Sequence, residues 1–367
     1  MGEIPNEAPD VGFQQADFER ITAVVAAEFQ IEESLMEHSL PTYFLKQPQE
    51  TKEAFLKLLK KLESMNLIAL LRRVDGRIVL KVVRKPPARP SNIKVNWILF
   101  FATIFTTFIT GYLLSSDVFD PFVGGATFTI AIMAILGMHE MGHKITANRK
   151  GIEATPPYFI PGPPSIGGLL GIGTFGAVIM QKSLPRNKDA LFDVGSSGPI
   201  IGFILAAIVS VIGLAFSPVR TMTGTESFLP SPLIFELFAV FLIRLSPDQF
   251  VLLHPVAFAG WAGMLLTMLN ILPAAMLDGG HVARAVVGEK MRLMLTGLSI
   301  LLLVAGGFIP MAIFVLFISM YKHPGPLDDV SELSTGRKLT AVGMVMIFVL
   351  CSYVHYLIFD LLSLLGL

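Results

Sequence analysis

His139-Glu140-Met141-Gly142-His143 sets two imidazoles four residues apart with a carboxylate beside the first. On a helix, residues i and i+4 share a face, so both rings project together and Glu140 stands next to them. Such a pattern grips a zinc ion and leaves a carboxylate to activate its bound water. Upstream, Thr127 to Gly137 carries no charge at all. Ionisable side chains near a bilayer centre cost about 2.5–3.5 kcal/mol on insertion scales, so those found there usually serve a function.

A catalytic zinc needs a third protein ligand and one open position for water. The best source is Asn270-Ile-Leu-Pro273-Ala-Ala-Met-Leu-Asp278-Gly279-Gly280-His281. Asp278 is a carboxylate at the end of an apolar span, beside two glycines that permit tight turning. A metal partner removes the cost of a charge in that place; capping the following helix is the competing reading. His281 competes for the ligand position, although pairing with a carboxylate or backbone group suits it better. An amide such as Asn270 needs a partner in an apolar helix. Bridging helices and facing the oxyanion formed on a peptide carbonyl stand level on chemistry alone. Pro273 frees a backbone carbonyl and is expected to kink the helix near the metal. His254, His323 and His355 read as interfacial or structural.

These residues need elements to hold them. Of 367 residues, 53% are hydrophobic and 15% charged, against about 25% charged in soluble domains, which marks a membrane protein. Net charge is zero, so nothing argues for nucleic acid, and the single cysteine, Cys351, excludes an internal disulfide. The acidic, polar start resembles no signal peptide. Residues 1–15 read as a loose tail. A helix is expected over Asp17–Glu28, and short strands at Phe29–Ile31 and Pro41–Leu45. Gln49–Met65 is amphipathic, with Phe55, Leu58, Leu59 and Leu62 inward and lysines outward. Leu67–Val74 and Arg77–Val83, joined by Asp75-Gly76, predict a hairpin.

That mixture predicts a soluble α+β domain over residues 1–88, a proline-rich linker over 89–94 and a membrane domain over 95–367. Spans are expected at 97–114, 122–147, 190–216, 255–276 and 339–361. Residues 292–320 form one span or two, since Gly306-Gly307 can turn the chain. Residues 231–245 read as interfacial. The fold class is therefore a polytopic α-helical membrane protein of six or seven transmembrane helices with a small N-terminal α+β domain. Lys81, Arg84, Lys85, Arg89 and Lys94 before the first span place that domain in the cytoplasm, with Asp117 and Asp120 across the membrane. Residues 151–188 are too rich in glycine and proline for a span. The part from Gly167 to Met180 suits a loop or strand pair against the membrane domain, offering an edge to an extended substrate.

Together, His139-Glu140-x-x-His143, Gly195…Gly198-Pro199 and Asn270…Pro273…Asp278-Gly279-Gly280 resemble the site-2 protease family of intramembrane zinc metalloproteases, the M50 peptidases. The likeness covers about residues 95–325. The tail His323-Pro324-Gly325-Pro326-Leu327-Asp328-Asp329 is similar to one branch, which includes archaeal members and the chloroplast proteases of ethylene-dependent greening. The resemblance implies one Zn2+ held by His139, His143 and Asp278, with Glu140 as catalytic base. It also implies that Asn270 positions substrate or stabilises the oxyanion. The expected activity is hydrolysis in or near a transmembrane helix of a client protein, within the bilayer, with a regulator or a second copy engaging the N-terminal domain. An archaeal plasma membrane is the expected location, a chloroplast membrane the alternative. No PDZ domain is visible, so substrate selection differs from that of the bacterial members carrying one. A metal transporter and a non-catalytic membrane scaffold are the rival readings.

Overall fold

A computed structural model describes residues 13–87, 91–115, 118–165, 171–224 and 229–353. The tail before residue 13, Asp117, Gly167, Gly168, His355 and the end of the last expected span lie outside the described residues. The chain falls into two compact units. Met1–Arg89, Leu184–Lys188 and Gly325–Glu332 make the first, and the remainder makes the second.

The first unit repeats one motif, a helix followed by a hairpin. Helix α1 (Gln15–Ala26) leads into β1 (Ile31–Glu37) and β2 (Leu40–Leu45); α2 (Lys52–Glu63) leads into β3 (Leu67–Val74) and β4 (Arg77–Arg84). The offset that carries Gln15 to Lys52 also carries Ala26 to Glu63 and the turn His38-Ser39 to Asp75-Gly76. All four turn residues have positive φ, at 49°, 63°, 49° and 83°, the requirement of the two-residue turn that matches strand twist. The same offset maps buried Ile21 to Leu58, Val25 to Leu62, Tyr43 to Leu80 and Leu45 to Val82. The sheet order is β1-β2-β4-β3. Beyond β3, Leu71 N–H donates to the Leu327 carbonyl (2.9 Å) and accepts at its own carbonyl from Asp329 N–H (3.1 Å). Residue 328 bridges onward to Asn187, and Leu327 joins the buried core.

The second unit is mostly helical. It comprises α3 (Ile93–Ser115), α4 (Pro121–Arg149), β5 (Tyr158–Pro161), β6 (Thr174–Val178), α5 (Lys188–Ala215), β7 (Val219–Thr221), α6 (Leu233–Leu242), β8 (Gln249–Val251), α7 (Pro255–Ile271), α8 (Asp278–Ala305), α9 (Ile309–Ser319) and α10 (Thr335–Cys351). Among the described residues, α3, α4 and α5 are long and apolar enough to cross a membrane. Helices α6, α7 and α9 are apolar but shorter. Helix α8 starts at Asp278, well before the expected 292, and Gly288 (φ 79°, ψ −177°) breaks it. Gly307 (φ 78°) then separates α8 from α9.

Helices α3 and α4 approach closely through small residues. A Cβ on Gly111 would lie 2.5 Å from Phe128 Cβ, and one on Gly124 would overlap Ser115 Oγ. Between membrane helices such contact supplies the dispersion energy that water cannot drive. The buried hydroxyls of Thr103, Thr107 and Ser115 donate to their own helix one turn back, at 2.8, 2.7 and 2.7 Å, so none enters the packing unbonded. The β5–β6 hairpin rests on α3: Thr106 Oγ1 donates to Gly173 O (2.6 Å), the Asn96 amide donates to Pro157 O, and Phe100 packs edge-on against Phe159. Helix α7 packs on α4 through Phe258 and Phe128, stacked at 6.0 Å.

Candidate metal centre

Helix α4 opens with Asp120 accepting from Val123 N–H (2.9 Å) and with Pro121 in its first turn. Both are strong helix-starting features. One turn near its far end is polar, and there His139, Glu140 and His143 are 5%, 6% and 5% exposed. The two Nε2 atoms are 3.1 Å apart. Asp278 Oδ2 lies 3.1 Å from His139 Nε2 and 3.2 Å from His143 Nε2. Four tetrahedral donors about 2.0–2.1 Å from a zinc ion stand roughly 3.3 Å from one another. The three atoms thus form nearly one face of such a tetrahedron, and the donor set fits the metal.

His143 Nδ1 donates to the Val194 carbonyl of α5 (2.7 Å). The neutral ring therefore keeps its proton there and presents the Nε2 lone pair inward, a supporting bond common behind metal-binding histidines. Helix α5 comes this close because of its glycines. A Cβ on Gly198 would overlap the His143 ring, and one on Gly202 would lie 2.8 Å from His139 Nδ1. Glu140 Oε1 is 3.9 Å from His139 Nε2.

Asp278 reaches the imidazoles from a turn. Helix α7 ends at Ile271, and Leu272 (φ −49°, ψ 129°) is already extended. A residue preceding proline is pushed out of the helical region, so Pro273 ends α7 where a kinked helix to Met276 was expected. Helix α8 starts at Asp278 with Leu277 as its N-cap. The aspartate carboxylate is therefore turned to the histidines and does not cap the helix. The glycines that follow let α8 start on top of the turn: a Cβ on Gly279 would overlap Ile271 O, and one on Gly280 would overlap Ala275 O.

The other expected candidates fall elsewhere. His281 Nδ1 pairs with His323 Nε2 at 2.8 Å and makes no hydrogen bond to the three donors. His254 caps α7 by accepting from Val256 N–H (3.2 Å). Asn270 is half-buried near the end of α7, and its side chain hydrogen-bonds no group among the described residues.

With this geometry in view, the family model for peptidase family M50 matches residues 127–313, a little over half of the chain, including all five candidate residues. The chain belongs to peptidase family M50. It is similar to "Probable zinc metalloprotease EGY2, chloroplastic" of Arabidopsis thaliana, 28% identical over 308 residues, covering 78% of this chain and 54% of that protein. "Probable zinc metalloprotease EGY1, chloroplastic" of the same plant is 30% identical over 243 residues, 62% of this chain and 43% of that protein. EGY2 of Oryza sativa subsp. indica is 27% identical over 290 residues, 74% of this chain and 51% of that protein. The chain thus spans about half the length of these curated M50 relatives. No solved structure matches it.

Reading residue types alone misses one group that supports this centre and one that lies beside it. Val194 acts through its backbone carbonyl, which no side-chain pattern reveals. Lys144, beside His143, donates to the Ala154 carbonyl (3.0 Å) and ties the segment after α4 back to the helix. A lysine inside an apolar helix was its visible signal.

Proposed function

We propose that this chain is a membrane-embedded zinc metalloendopeptidase that hydrolyses peptide bonds in or near transmembrane helices of client proteins. The observation that carries the proposal is the triangle of His139, His143 and Asp278 donors with Glu140 alongside, on a helix long and apolar enough to cross a bilayer. M50 membership supports it, as do the zinc metalloprotease names of the relatives.

A zinc ion held by His139, His143 and Asp278 would lower the pKa of a bound water from 15.7 toward about 7 and polarise the scissile carbonyl. Glu140 takes the proton as the water attacks and returns it to the leaving amine. Asn270 offers amide hydrogens to the substrate carbonyl, where negative charge develops; its lack of a partner among the described residues supports this role. A helical substrate must unwind to expose its carbonyls. The β5–β6 hairpin supports docking of the unwound strand along β6.

We further propose that α3, α4, α5, α7, the distal part of α8, α9 and α10 form the membrane region, at the upper end of the expected six or seven spans. Residues 1–88 are a soluble domain on the cation-rich side of α3. Its edge strand β1, with exposed Glu32, Glu33 and Ser34, is suited to a regulator or a second copy. The relatives' chloroplastic names favour a plastid membrane over an archaeal plasma membrane.

The test is purified protein with a membrane-helix substrate, comparing wild type, Glu140→Gln and His139→Ala. Cleavage disappears in both variants, while Glu140→Gln retains its zinc. Zinc transport into liposomes without proteolysis would establish the transporter reading instead. An unaltered cleavage rate in Glu140→Gln would falsify the assigned base.

A further inference from the structure

Arg292 is 1% exposed and is the largest fully buried side chain among the described residues. Its Nε and Nη2 donate to Glu289 Oε2 (3.0 Å) and Oε1 (2.8 Å). Arg284 Nε stands 3.0 Å from the same Oε2. The remaining donor, Nη1, reaches the backbone carbonyl of Ala275 (2.9 Å). One turn further along α8, Thr296 Oγ1 accepts from Ala275 N–H (3.0 Å) and donates to the Arg292 carbonyl (2.8 Å).

Both backbone polar groups of Ala275 are therefore bonded by two residues of one helix face. Ala275 has φ 46°, a left-handed conformation that a Cβ disfavours. An alanine persists there only when its surroundings over-determine it. Here they do. Ala275 lies in the turn three residues before Asp278. Leu277 N–H donates to the Ala274 carbonyl (3.0 Å) and His281 N–H to the Leu277 carbonyl (3.0 Å), so the position of this turn sets where α8 begins. Gly280 is packed beneath the Ala275 carbonyl that Arg292 holds.

We infer that Arg292 and Thr296 are positioning residues for Asp278, holding its carboxylate at the metal centre through the Ala275 backbone. The inference rests on the proposed function and adds the group that aims its third ligand. The two imidazoles take their spacing from α4 itself, and one is oriented by the Val194 carbonyl. The aspartate arrives on a turn without a regular ladder, and a buried guanidinium whose charge is matched by Glu289 supplies what the ladder would. A lost supporting bond behind a metal ligand typically weakens metal binding about 10–100-fold.

The experiment titrates zinc into metal-stripped, full-length protein in detergent against a chromogenic chelator. Thr296→Val keeps the shape of threonine and the Arg292–Glu289 pair; Arg292→Lys keeps the charge but not the fork. Each is expected to weaken zinc binding about tenfold, and the unfolding midpoint of the metal-free protein, lowered by the lost buried bond, is recorded beside it so that the double variant separates the two effects. Placed on Asp278→Asn, Thr296→Val should weaken zinc binding no further, since the ligand it aims is already lost. A merely structural role gives additive losses in that double variant, and additivity overturns the inference. Wild-type affinity in both single variants overturns it equally. Wild-type protein that binds no zinc removes the proposed function itself, a result separate from either.

Discussion

Helix α4 carries two donors of the candidate metal centre four residues apart, whereas the third stands on the first residue of α8, after a turn that is neither helix nor sheet. On α4 the spacing comes from the helix repeat; the Val194 carbonyl orients one ring, and Gly198 and Gly202 leave room for both. On the turn the geometry comes from packing: the early end of α7, the glycines over carbonyls and the two bonds on Ala275. Sites built on regular elements hold their groups more closely than sites on loops. A loop-borne ligand therefore needs outside support, and here α8 provides it.

The contrast can be broken at four points. The largest effect is expected at Glu140, the proposed base, which is not among the proposed ligands. Glu140→Gln should lower peptide hydrolysis by about 10²–10⁴-fold with zinc content by elemental analysis unchanged, while Asp278→Asn weakens zinc binding and hydrolysis together. Parallel metal loss in both would erase the distinction between the two sides.

Crowding on the α4 side comes next. Gly198→Ala drives a methyl into the His143 ring, and overpacking of about 1–3 kcal/mol predicts zinc binding weakened about 10–100-fold. Gly343→Ala, whose Cβ meets open space, serves as the control and should leave binding unchanged. Equal affinities for the two variants would mean that α5 does not support the histidine.

On the turn side, Gly280→Ala pushes against Ala275 O, and the turn has more freedom to give than a helix does. Zinc binding about tenfold weaker is expected, at the lower end of the overpacking range, measured by the same titration. A loss larger than that of Gly198→Ala would reverse the order argued here.

The smallest effect is at Ala275. Glycine there relieves a left-handed strain of about 1 kcal/mol, offset by about 0.5–1 kcal/mol of extra chain entropy in the unfolded state. Ala275→Gly should leave the thermal midpoint equal to wild type or slightly above it. Ala283→Gly, buried in helical α8, should cost about 1 kcal/mol. Equal destabilisation by both would argue that Ala275 carries no strain.

Much of the first unit was legible because its signals are local. Asp75-Gly76 marks a turn with two positive φ angles, and the apolar spacing of Phe55, Leu58, Leu59 and Leu62 marks the buried face of α2. The equivalent turn at His38-Ser39 was not singled out, since neither residue type advertises a left-handed backbone. The bridging segment at Leu327 and Asp328 could not be read either. It pairs with Leu71 across some two hundred and fifty positions, and its short run follows two prolines. In the second unit, the break before α9 followed from paired glycines. That the helix weighed after Asp278 runs on into the span expected from residue 292 did not, because charged Arg284, Glu289 and Arg292 masked a helix that buries them against one another.

Composition and spacing alone determined that apolar helices would carry a His-Glu-x-x-His face, and they marked Asp278 as a carboxylate in need of a partner. Helix periodicity is local, so a residue's face follows from its number. Only the tertiary structure decided that the Asp278 carboxylate meets both imidazoles, that His281 pairs with His323 instead, and that Arg292 holds the intervening turn. Those outcomes depend on which distant backbone groups are left to be satisfied once the helices pack, and that demand appears only when the chain is folded.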